Sequence, residues 1–384
     1  MACVTEQTPA DPQHPTRPLL RTRVARAWDR AVEESQMPRP ITAIVSLGIL
    51  CIMLVVGASL PVPYVIEQPG PAIDVLGEYE DEQVITISGR TTYPTEGELM
   101  MTTVAVDGGP GYRVTPAEVI GAWFRPSRTV MPRELLFPAD QTREQTTLQN
   151  TVQMTTSQQG AIAVALDELG IEYTSTVFIA GVLEGTPADG VLEARDEVLA
   201  INGESAENAL GYQRLAAATA HGQPVRMRVR RDGEEKDLEV PTEVVDGAPR
   251  MGVTLADGYD FPIDVSISVG HVGGPSAGTM FALAIYDELT PGPLTGGKRI
   301  AGTGTIDDQG MVGPIGGIRQ KMVGARSAGA DYFLAPADNC NEVVGHVPED
   351  LHVVSIATFD EARAAVETIA KTGSTEGLKT CEEP

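Results

Sequence analysis

A serine among glycines and a lysine on an apolar helical face are the residues of this sequence best suited to chemistry. Ser276 stands in the stretch GGPSAG at 273–278, where small residues let a backbone approach a ligand closely. Lys321 stands in a segment with helical periodicity at 318–328. A serine hydroxyl attacks a carbonyl group when a nearby base takes its proton, and a neutral lysine amine can be that base. The pair therefore predicts nucleophilic catalysis.

Two helices must position these side chains. The apolar run at 280–289 predicts a buried helix whose positive end faces Ser276 and the backbone N–H groups beside it. At about 100° per residue, Lys321 falls on the face that carries the apolar residues of its helix, which are Ile318, Met322, Ala325 and Ala328. No carboxylate lies one turn away on that helix, and burial without such a partner lowers the pKa of a lysine.

Three other interpretations stay open. Ser276 could be only the cap of the helix that follows it, and Lys321 could rest its stem on apolar surface with its ammonium in water. His271 precedes Ser276 closely enough to be its base, with Asp264 or Asp287 orienting the imidazole.

Four motifs between residues 265 and 341 resemble the proteolytic domain of Lon-type serine peptidases: GGPSAG at 273–278, AGTGTID at 301–307, GMVGPIGGIRQK at 310–321 and AGADYFLAPADN at 328–339. The resemblance implies an α/β (α+β) fold with Ser276 as the catalytic serine and Lys321 as the catalytic lysine. It also implies that Thr303 helps to hold the lysine ammonium.

The reaction that this resemblance implies is acyl transfer to water. Neutral Lys321 would take the proton of Ser276 during attack on a peptide carbonyl and return it to the leaving amine. The backbone around Gly274, Pro275 and Ala277 is the predicted oxyanion site, because a glycine-rich turn into a helix presents unpaired N–H donors. The alternative is a catalytically inactive PDZ/Lon-fold scaffold that binds envelope proteins.

Residues 171–245 resemble a PDZ domain through GTPADG at 185–190 and DEVLAING at 196–203. A PDZ groove takes up an extended peptide as an added strand and captures its terminal carboxylate. Two features depart from the family pattern. Arg195 stands where a glycine is usual, and no Gly-Leu-Gly-Phe-type loop precedes the first strand. Peptide capture and a role as spacer or lid therefore both stay open.

The whole chain resembles the membrane-anchored, PDZ-containing Lon-like proteases of bacteria, which lack an ATPase module. This predicts a mostly disordered cytoplasmic tail (1–40), a transmembrane anchor (41–60), the first part of the protease domain (80–170), the PDZ-like domain (171–245), the catalytic part (250–370) and a C-terminal tail (371–384). The PDZ-like domain is thus expected as an insertion. Alternating runs at 84–87 and 99–106 predict a hairpin or meander, and a helix is predicted at 142–169.

The uncharged stretch 41–60 is long enough to span a bilayer. Arginines precede it and acidic residues follow it. The positive-inside rule therefore predicts a single pass through the cell membrane, with a cytoplasmic N-terminus and an extracytoplasmic catalytic domain. A signal peptide cleaved near Val56-Gly57-Ala58 and a buried helix of a soluble protein are the alternatives.

The sequence has four cysteines, which are Cys3, Cys51, Cys340 and Cys381. The predicted topology leaves Cys340 and Cys381 in an oxidising exterior, so a disulfide between them is predicted, with two free thiols as the alternative. No cluster of histidines and cysteines has the spacing of metal ligands, and neither a metal nor another cofactor is predicted.

Composition and motifs limit the kinds of partner that this chain is expected to bind. A net charge of −25, from 53 acidic and 28 basic residues, disfavours nucleic acid. The stretch 292–299 nearly fits a phosphate-binding loop, but Arg299 replaces its hydroxyl residue and a helix precedes it, so no nucleotide is predicted. Without ATP to unfold them, the expected substrates are unfolded or flexible proteins and peptides. The family resemblance implies a homo-oligomer in the form of a hexameric ring.

Overall fold

A computed structural model describes residues 39–138, 141–220, 222–245, 248–270 and 272–381. It divides the chain into two compact units, Met1–Leu60 and Pro61–Pro384. The predicted tail at 1–40 falls almost wholly outside the described residues, and so does His271.

The first unit contains the described helix α1 (Arg39–Ser59). Over Ile41–Ser59 its mean hydropathy is 2.7, so this helix is long and apolar enough to cross a membrane. A signal sequence has the same properties. The membrane anchor and the signal peptide predicted for 41–60 are both compatible with this helix.

The second unit is a mixed α/β structure. Its helices are α2 (Pro116–Trp123), α3 (Arg143–Glu168), α4 (Ala209–Ala217), α5 (Gly278–Leu289), α6 (Ile318–Ser327), α7 (Cys340–Val343) and α8 (Phe359–Thr372). Its strands are β1 (Tyr64–Asp74), β2 (Glu78–Tyr79), β3 (Glu82–Gln83), β4 (Ile85–Ser88), β5 (Glu98–Asp107), β6 (Thr129–Pro132), β7 (Thr174–Val182), β8 (Glu197–Ile201), β9 (Val225–Arg231), β10 (Glu234–Val240), β11 (Glu243–Val245), β12 (Ala248–Arg250), β13 (Val253–Asp260), β14 (Asp264–Ile267), β15 (Arg299–Gly302), β16 (Thr305–Ile306), β17 (Val312–Gly313), β18 (Tyr332–Pro336) and β19 (His352–Ile356).

The larger sheet has the strand order β19-β18-β15-β5-β1-β6. Strands β5, β15, β18 and β19 pair in parallel, whereas β1 runs antiparallel to both β5 and β6. Strands from the beginning and from the end of the unit therefore share this sheet. The strands of the smaller sheet come between them in the sequence.

Helix α5 is buried on nearly every side, which explains an apolar run without a polar stripe. Phe281 and Leu283 of α5 belong to the same apolar cluster as Leu99 and Met101 of β5. Burying a side chain of this size contributes about 1.5–3 kcal/mol. The helix that begins just after Ser276 is therefore held firmly against the sheet.

The smaller sheet has the order β10-β9-β8-β7-β13 and a core of its own. Its edge strand β13 pairs along β7, and Leu255 of β13 joins the core. This strand lies beyond residue 245, so the sheet reaches into the predicted catalytic part at 250–370. An alternating strand pattern shows that one face is buried, but it does not show which sheet the strand joins.

The alternating runs at 84–87 and 99–106 do not form the predicted hairpin. Strand β4 pairs instead with β14, which leads towards Ser276, and β5 pairs with β1 and β15. The predicted helix at 142–169 is present as α3. It begins at a capping box in which Thr142 and Gln145 each bond the backbone N–H of the other.

Candidate active site

Ser276 lies in the loop that joins β14 to α5. Its carbonyl oxygen accepts hydrogen bonds from the Gly304 N–H and from the Thr303 hydroxyl, both at 2.9 Å. The N-cap residue of α5 is Ala277, and no side chain caps this helix. The interpretation of Ser276 as a helix cap is therefore wrong, and its hydroxyl is left for another partner.

Helix α3 holds the serine loop from one side. The buried Ser157 hydroxyl donates to the Pro275 carbonyl at 2.9 Å, and the Gly274 N–H donates to the Asn150 carbonyl at 3.3 Å. Position 278 requires glycine, because a Cβ on Gly278 would lie 2.6 Å from the Ser157 Oγ. Sequence reasoning missed Asn150 and Ser157. Asn150 acts through its backbone carbonyl, so its residue type gives no signal, and a serine within the apolar part of the predicted helix is the signal for Ser157.

Lys321 lies in the first turn of α6 and is 3% exposed. Its Nζ lies 2.8 Å from the Ser276 Oγ and 2.9 Å from the Thr303 Oγ1. The interpretation that places the ammonium in water is therefore wrong. The structure brings together the three side chains that the sequence singled out.

Burial lowers the pKa of Lys321 from the ordinary 10.5 to about 7. Desolvation is the cause, since the charged form loses its hydration inside the protein. In the described part of the chain, the partners of its Nζ are the two hydroxyl groups, and no carboxylate pairs with it. A large fraction of the amine is therefore neutral near pH 7, and a neutral amine can accept the Ser276 proton.

Thr303 connects the lysine to the serine loop. It is fully buried and follows β15, and its hydroxyl donates to the Ser276 carbonyl. The oxygen of the same hydroxyl accepts a hydrogen bond from the Lys321 Nζ. This bond leaves the lone pair of a neutral amine available for the Ser276 hydroxyl.

Two backbone donors stand beside the Ser276 side chain. In the part of the chain that the structure describes, the N–H groups of Ser276 and Ala277 make no hydrogen bond. The Gly274 N–H is already bonded to Asn150, and Pro275 has no N–H. Of the predicted oxyanion site, the N–H groups of Ser276 and Ala277 therefore remain as the available donors.

Ser276 and Lys321 line a cavity of about 750 Å³. One wall of it is β5, through residues 102–106. Strand β5 pairs with β15 only through residues 98–101, so no described strand covers the following edge on that side. An extended peptide can pair with such an edge and bring a carbonyl group to Ser276.

A second cavity, of about 960 Å³, lies next to the first. The two share lining residues that include Asn150, Met154 and Gly273. The second cavity also reaches Glu184, which stands two positions after the last residue of β7 in the smaller sheet. The space beside the serine loop therefore extends to the smaller sheet.

Arg195 ties the smaller sheet to the strand that leads to the serine loop. Its guanidinium donates to the Val265 carbonyl of β14 at 2.8 Å. Its φ of 78° is the left-handed conformation in which PDZ domains usually place glycine. The contact with β14 gives a structural reason for this departure from the family pattern.

The histidine hypothesis concerns His271, which lies outside the described residues. Asp264, one of its suggested partners, is exposed on β14. The other, Asp287, is buried near the end of α5, where its carboxylate accepts a hydrogen bond from the Leu294 N–H at 2.8 Å. Burial raises the pKa of Asp287 to about 6. The Asp287 carboxylate therefore stabilises the turn that follows α5.

A disulfide joins Cys340 and Cys381, with Cα atoms 4.9 Å apart. It ties the segment that follows α8 to α7. Among the described residues, no group of three or more His, Cys, Asp or Glu side chains could hold a metal ion.

Comparisons with known proteins match two regions of the chain. Residues 257–368 match the family model of the Lon protease (S16) C-terminal proteolytic domain, and residues 151–242 match that of the PDZ domain. Lon protease 2 of Herpetosiphon aurantiacus is 38% identical over 120 residues, and Lon protease of Geobacter metallireducens is 36% identical over 115 residues. Each match covers 29% of this chain and 14% of the relative. The chain thus spans a small part of the length of these relatives.

One solved structure with a likeness to the chain is the PDZ domain of an SdrC-like protein from Listeria innocua. It has 22% sequence identity and a TM-score of 0.20, and the match covers 21% of this chain and 92% of that one.

These matches define the class of the two regions. The chain contains a Lon-type proteolytic domain, which is a serine peptidase domain, and a PDZ domain. Ser276, Thr303 and Lys321 all lie within the residues that match the proteolytic domain.

Proposed function

We propose that this chain is a single-pass, membrane-anchored serine endopeptidase that works without ATP. Ser276 is the nucleophile and Lys321 is its general base. One observation carries the proposal: a buried amine, with no carboxylate partner among the described residues, lies 2.8 Å from the serine hydroxyl. Burying an amine that meets only hydroxyl groups there costs free energy, so a catalytic role explains the position better than a structural one.

The reaction proceeds in two acyl-transfer steps. Neutral Lys321 takes the Oγ proton as Ser276 attacks the peptide carbonyl, and the N–H groups of Ser276 and Ala277 stabilise the oxyanion. The protonated lysine then donates its proton to the leaving amine. In the second step, Lys321 deprotonates a water molecule that attacks the acyl-enzyme, and Ser276 is released with its proton restored.

The open edge of β5 suits unfolded or flexible substrates. Residues 104–107 of β5 pair with β1 on one side, no described strand pairs with their other side, and an extended peptide can supply the missing strand. Most of the backbone of a folded substrate is already paired within its own helices and sheets. The proposed substrates are therefore flexible segments of proteins, and the backbone pairing contributes to their affinity.

The PDZ domain is proposed to recognise substrates or to gate the site. Two observations support this role: the second cavity runs from Asn150 to Glu184, and Arg195 contacts β14. A ligand on the PDZ domain can therefore influence the loop that carries Ser276. The hexameric ring implied by the resemblance belongs to the same proposal, and native mass measurement of the solubilised protein tests it.

The anchor and its orientation rest on α1 and on the arginines that precede it. They support a catalytic domain outside the cytoplasm, where disulfides persist. The Cys340–Cys381 disulfide supports that location.

The test is casein cleavage by the full-length protein in nanodiscs, with and without Mg-ATP. Wild type is expected to cleave casein at the same rate in both conditions, and Ser276→Ala is expected to lower the rate by about 10³-fold or more. Ser327→Ala is the matched control, since this exposed hydroxyl bonds only within α6. Binding of casein without cleavage by wild type would instead support the scaffold.

A further inference from the structure

Helix α2 presents an exposed apolar flank. Ile120, Trp123 and Phe124 are 51%, 68% and 83% exposed, whereas Val119 and Ala122 are buried. At the helical repeat, the three exposed residues share one flank of α2. We call these three residues, together with Arg125 and Arg128, the α2 patch. Neighbouring exposed aromatic rings mark a surface that binds a partner.

The buried side of α2 packs onto the first residues of the second unit. Val119 and Ala122 form a small core with Val62, whose N–H donates to the Val114 carbonyl at 2.9 Å. In the sequence, Val62 follows Ser59, the last residue of α1, by only three positions. Three residues of extended chain span at most about 11 Å. The buried side of α2 therefore packs on a residue that lies three positions after the end of α1 in the chain.

The charge around α2 is opposite to that of the chain. Segment 108–133 contains four arginines and one acidic residue: Arg113, Arg125, Arg128, Arg133 and Glu118. The chain as a whole carries −25. Arg125 directly follows the two rings and Arg128 stands three residues further on, and within the described ranges neither forms an ion pair. This local positive charge complements an anionic surface.

We infer that the α2 patch docks on the lipid headgroup region of the membrane crossed by α1. Trp123 and Phe124 enter the boundary between headgroups and acyl chains, where aromatic rings are favoured. Arg125 and Arg128 bind anionic headgroups. The short link to α1 and the local positive charge together favour a membrane as the partner of the patch. This inference rests on the proposed membrane anchor.

Docking has a consequence for the active site. Tyr112 and Phe137, from the same connection between β5 and α3, line the cavity that contains Ser276. A docked α2 patch therefore holds this cavity near the bilayer. The favoured substrates are flexible segments that lie close to a membrane surface.

The test uses Trp123 as a fluorescent reporter in the full-length chain. The sequence has two tryptophans, so Trp28→Phe leaves Trp123 as the only one. The protein is reconstituted into phosphatidylcholine vesicles with phosphatidylglycerol, with and without brominated acyl chains. We expect the brominated lipid to quench Trp123 and aqueous acrylamide to quench it poorly.

Two sets of variants sharpen the result. Arg125→Gln with Arg128→Gln is expected to lower the docking equilibrium constant about thirtyfold, since each arginine near an anionic surface contributes about fivefold. Ile120→Ser with Phe124→Ser is expected to abolish the bromine quenching. Leu210→Trp, in a chain without Trp28 and Trp123, is the control, because position 210 is also exposed but lies on α4 of the PDZ domain.

Each outcome has a defined meaning. Protein that fails to float with the vesicles contradicts the anchor and, with it, the docking. Protein that floats while Trp123 remains open to acrylamide and insensitive to bromine contradicts the docking alone. Protection of Trp123 that depends on protein density but not on bromine assigns the α2 patch to a second copy of the chain and also overturns the inference.

Discussion

Two buried charged side chains, one in each domain, show what an ionic partner changes. The Asp196 side chain of the PDZ domain is 0% exposed, and Arg231 donates to both of its carboxylate oxygens at 2.6 Å. Lys321 of the proteolytic domain is buried to a similar degree, yet the partners of its amine among the described residues are hydroxyl groups.

The consequences for the pKa are opposite. The hydrogen bond to Asp196 raises the pKa of Arg231, so the guanidinium stays charged beside the buried Asp196 side chain. Desolvation lowers the pKa of Lys321 to about 7, so this amine is available for proton transfer. A buried cation beside an opposite charge, such as Arg231, therefore stays charged and has a structural role. A buried amine without such a partner, such as Lys321, becomes available for proton transfer.

Lys321→Met should produce the largest change. Peptidase activity is expected to fall by about 10³-fold or more, because Ser276 loses its base. The free energy of unfolding at pH 7 is expected to rise, because an unpaired buried amine is replaced by an apolar side chain. Casein cleavage and urea unfolding measure the two effects. An inactive variant that is also less stable than wild type would show that the lysine is structural.

Arg231→Met should have the next largest effect, and on stability alone. It leaves Asp196 buried without its counter-charge, which is expected to lower the free energy of unfolding by about 3–5 kcal/mol. Arg226→Met is the control, since its ion pair with Glu239 is exposed and is expected to matter much less. Equal losses in the two variants would contradict the distinction between buried and exposed pairs.

Thr303→Val tests whether the buried amine must also be oriented. It removes the hydroxyl that bonds both Lys321 and the Ser276 carbonyl. We expect kcat to fall by about 10²-fold, because a small displacement of a catalytic group has a cost of that order. Thr303→Ser keeps the hydroxyl and should remain close to wild type. Equal rates in both variants would assign the role of Thr303 to packing.

The pH dependence of the rate near neutral pH should show the smallest effect. The wild-type kcat/KM is expected to rise with pH through about 7, because only the neutral Lys321 amine accepts a proton. The folded-state pKa lies below the ordinary 10.5, so the unfolded chain binds this proton more strongly between those pH values. The contribution of Lys321 to the free energy of unfolding therefore increases from about pH 7 towards pH 10.5.

Urea unfolding of wild type and Lys321→Met across this pH range checks the sign. The stability advantage of the variant is expected to shrink as the pH rises. A difference that stays constant with pH would mean that the lysine has its ordinary pKa in the folded protein.

Local patterns were sufficient to predict the main residues of the candidate site. A loop of small residues indicated Ser276, and the apolar face of α6 indicated a buried Lys321. The prediction for that face was wrong only at Ala328, which is exposed because α6 ends at Ser327. Helical periodicity reports burial within an element, and it is least informative at the last turn.

Contacts between distant segments could not be predicted in this way. Asn150 and Ser157 hold the serine loop from α3, more than one hundred residues earlier in the chain. Strand β4 pairs with β14 rather than with its neighbour in sequence, and β13 completes the smaller sheet. The alternation of apolar and polar residues in a strand does not depend on which strand pairs with it, so the pattern does not identify the partner.

The sequence by itself determined the chemistry of this protein: a serine next to a helix start, a lysine without a local counter-charge, and a stretch long enough to cross a membrane. Each of these follows from residue type and spacing within a few turns of chain. Only the tertiary structure decided that the lysine meets the serine at 2.8 Å, that Thr303 joins them and that two N–H groups remain free among the described residues. Those distances depend on the packing of α3, α5 and α6 against a sheet, which no local pattern encodes.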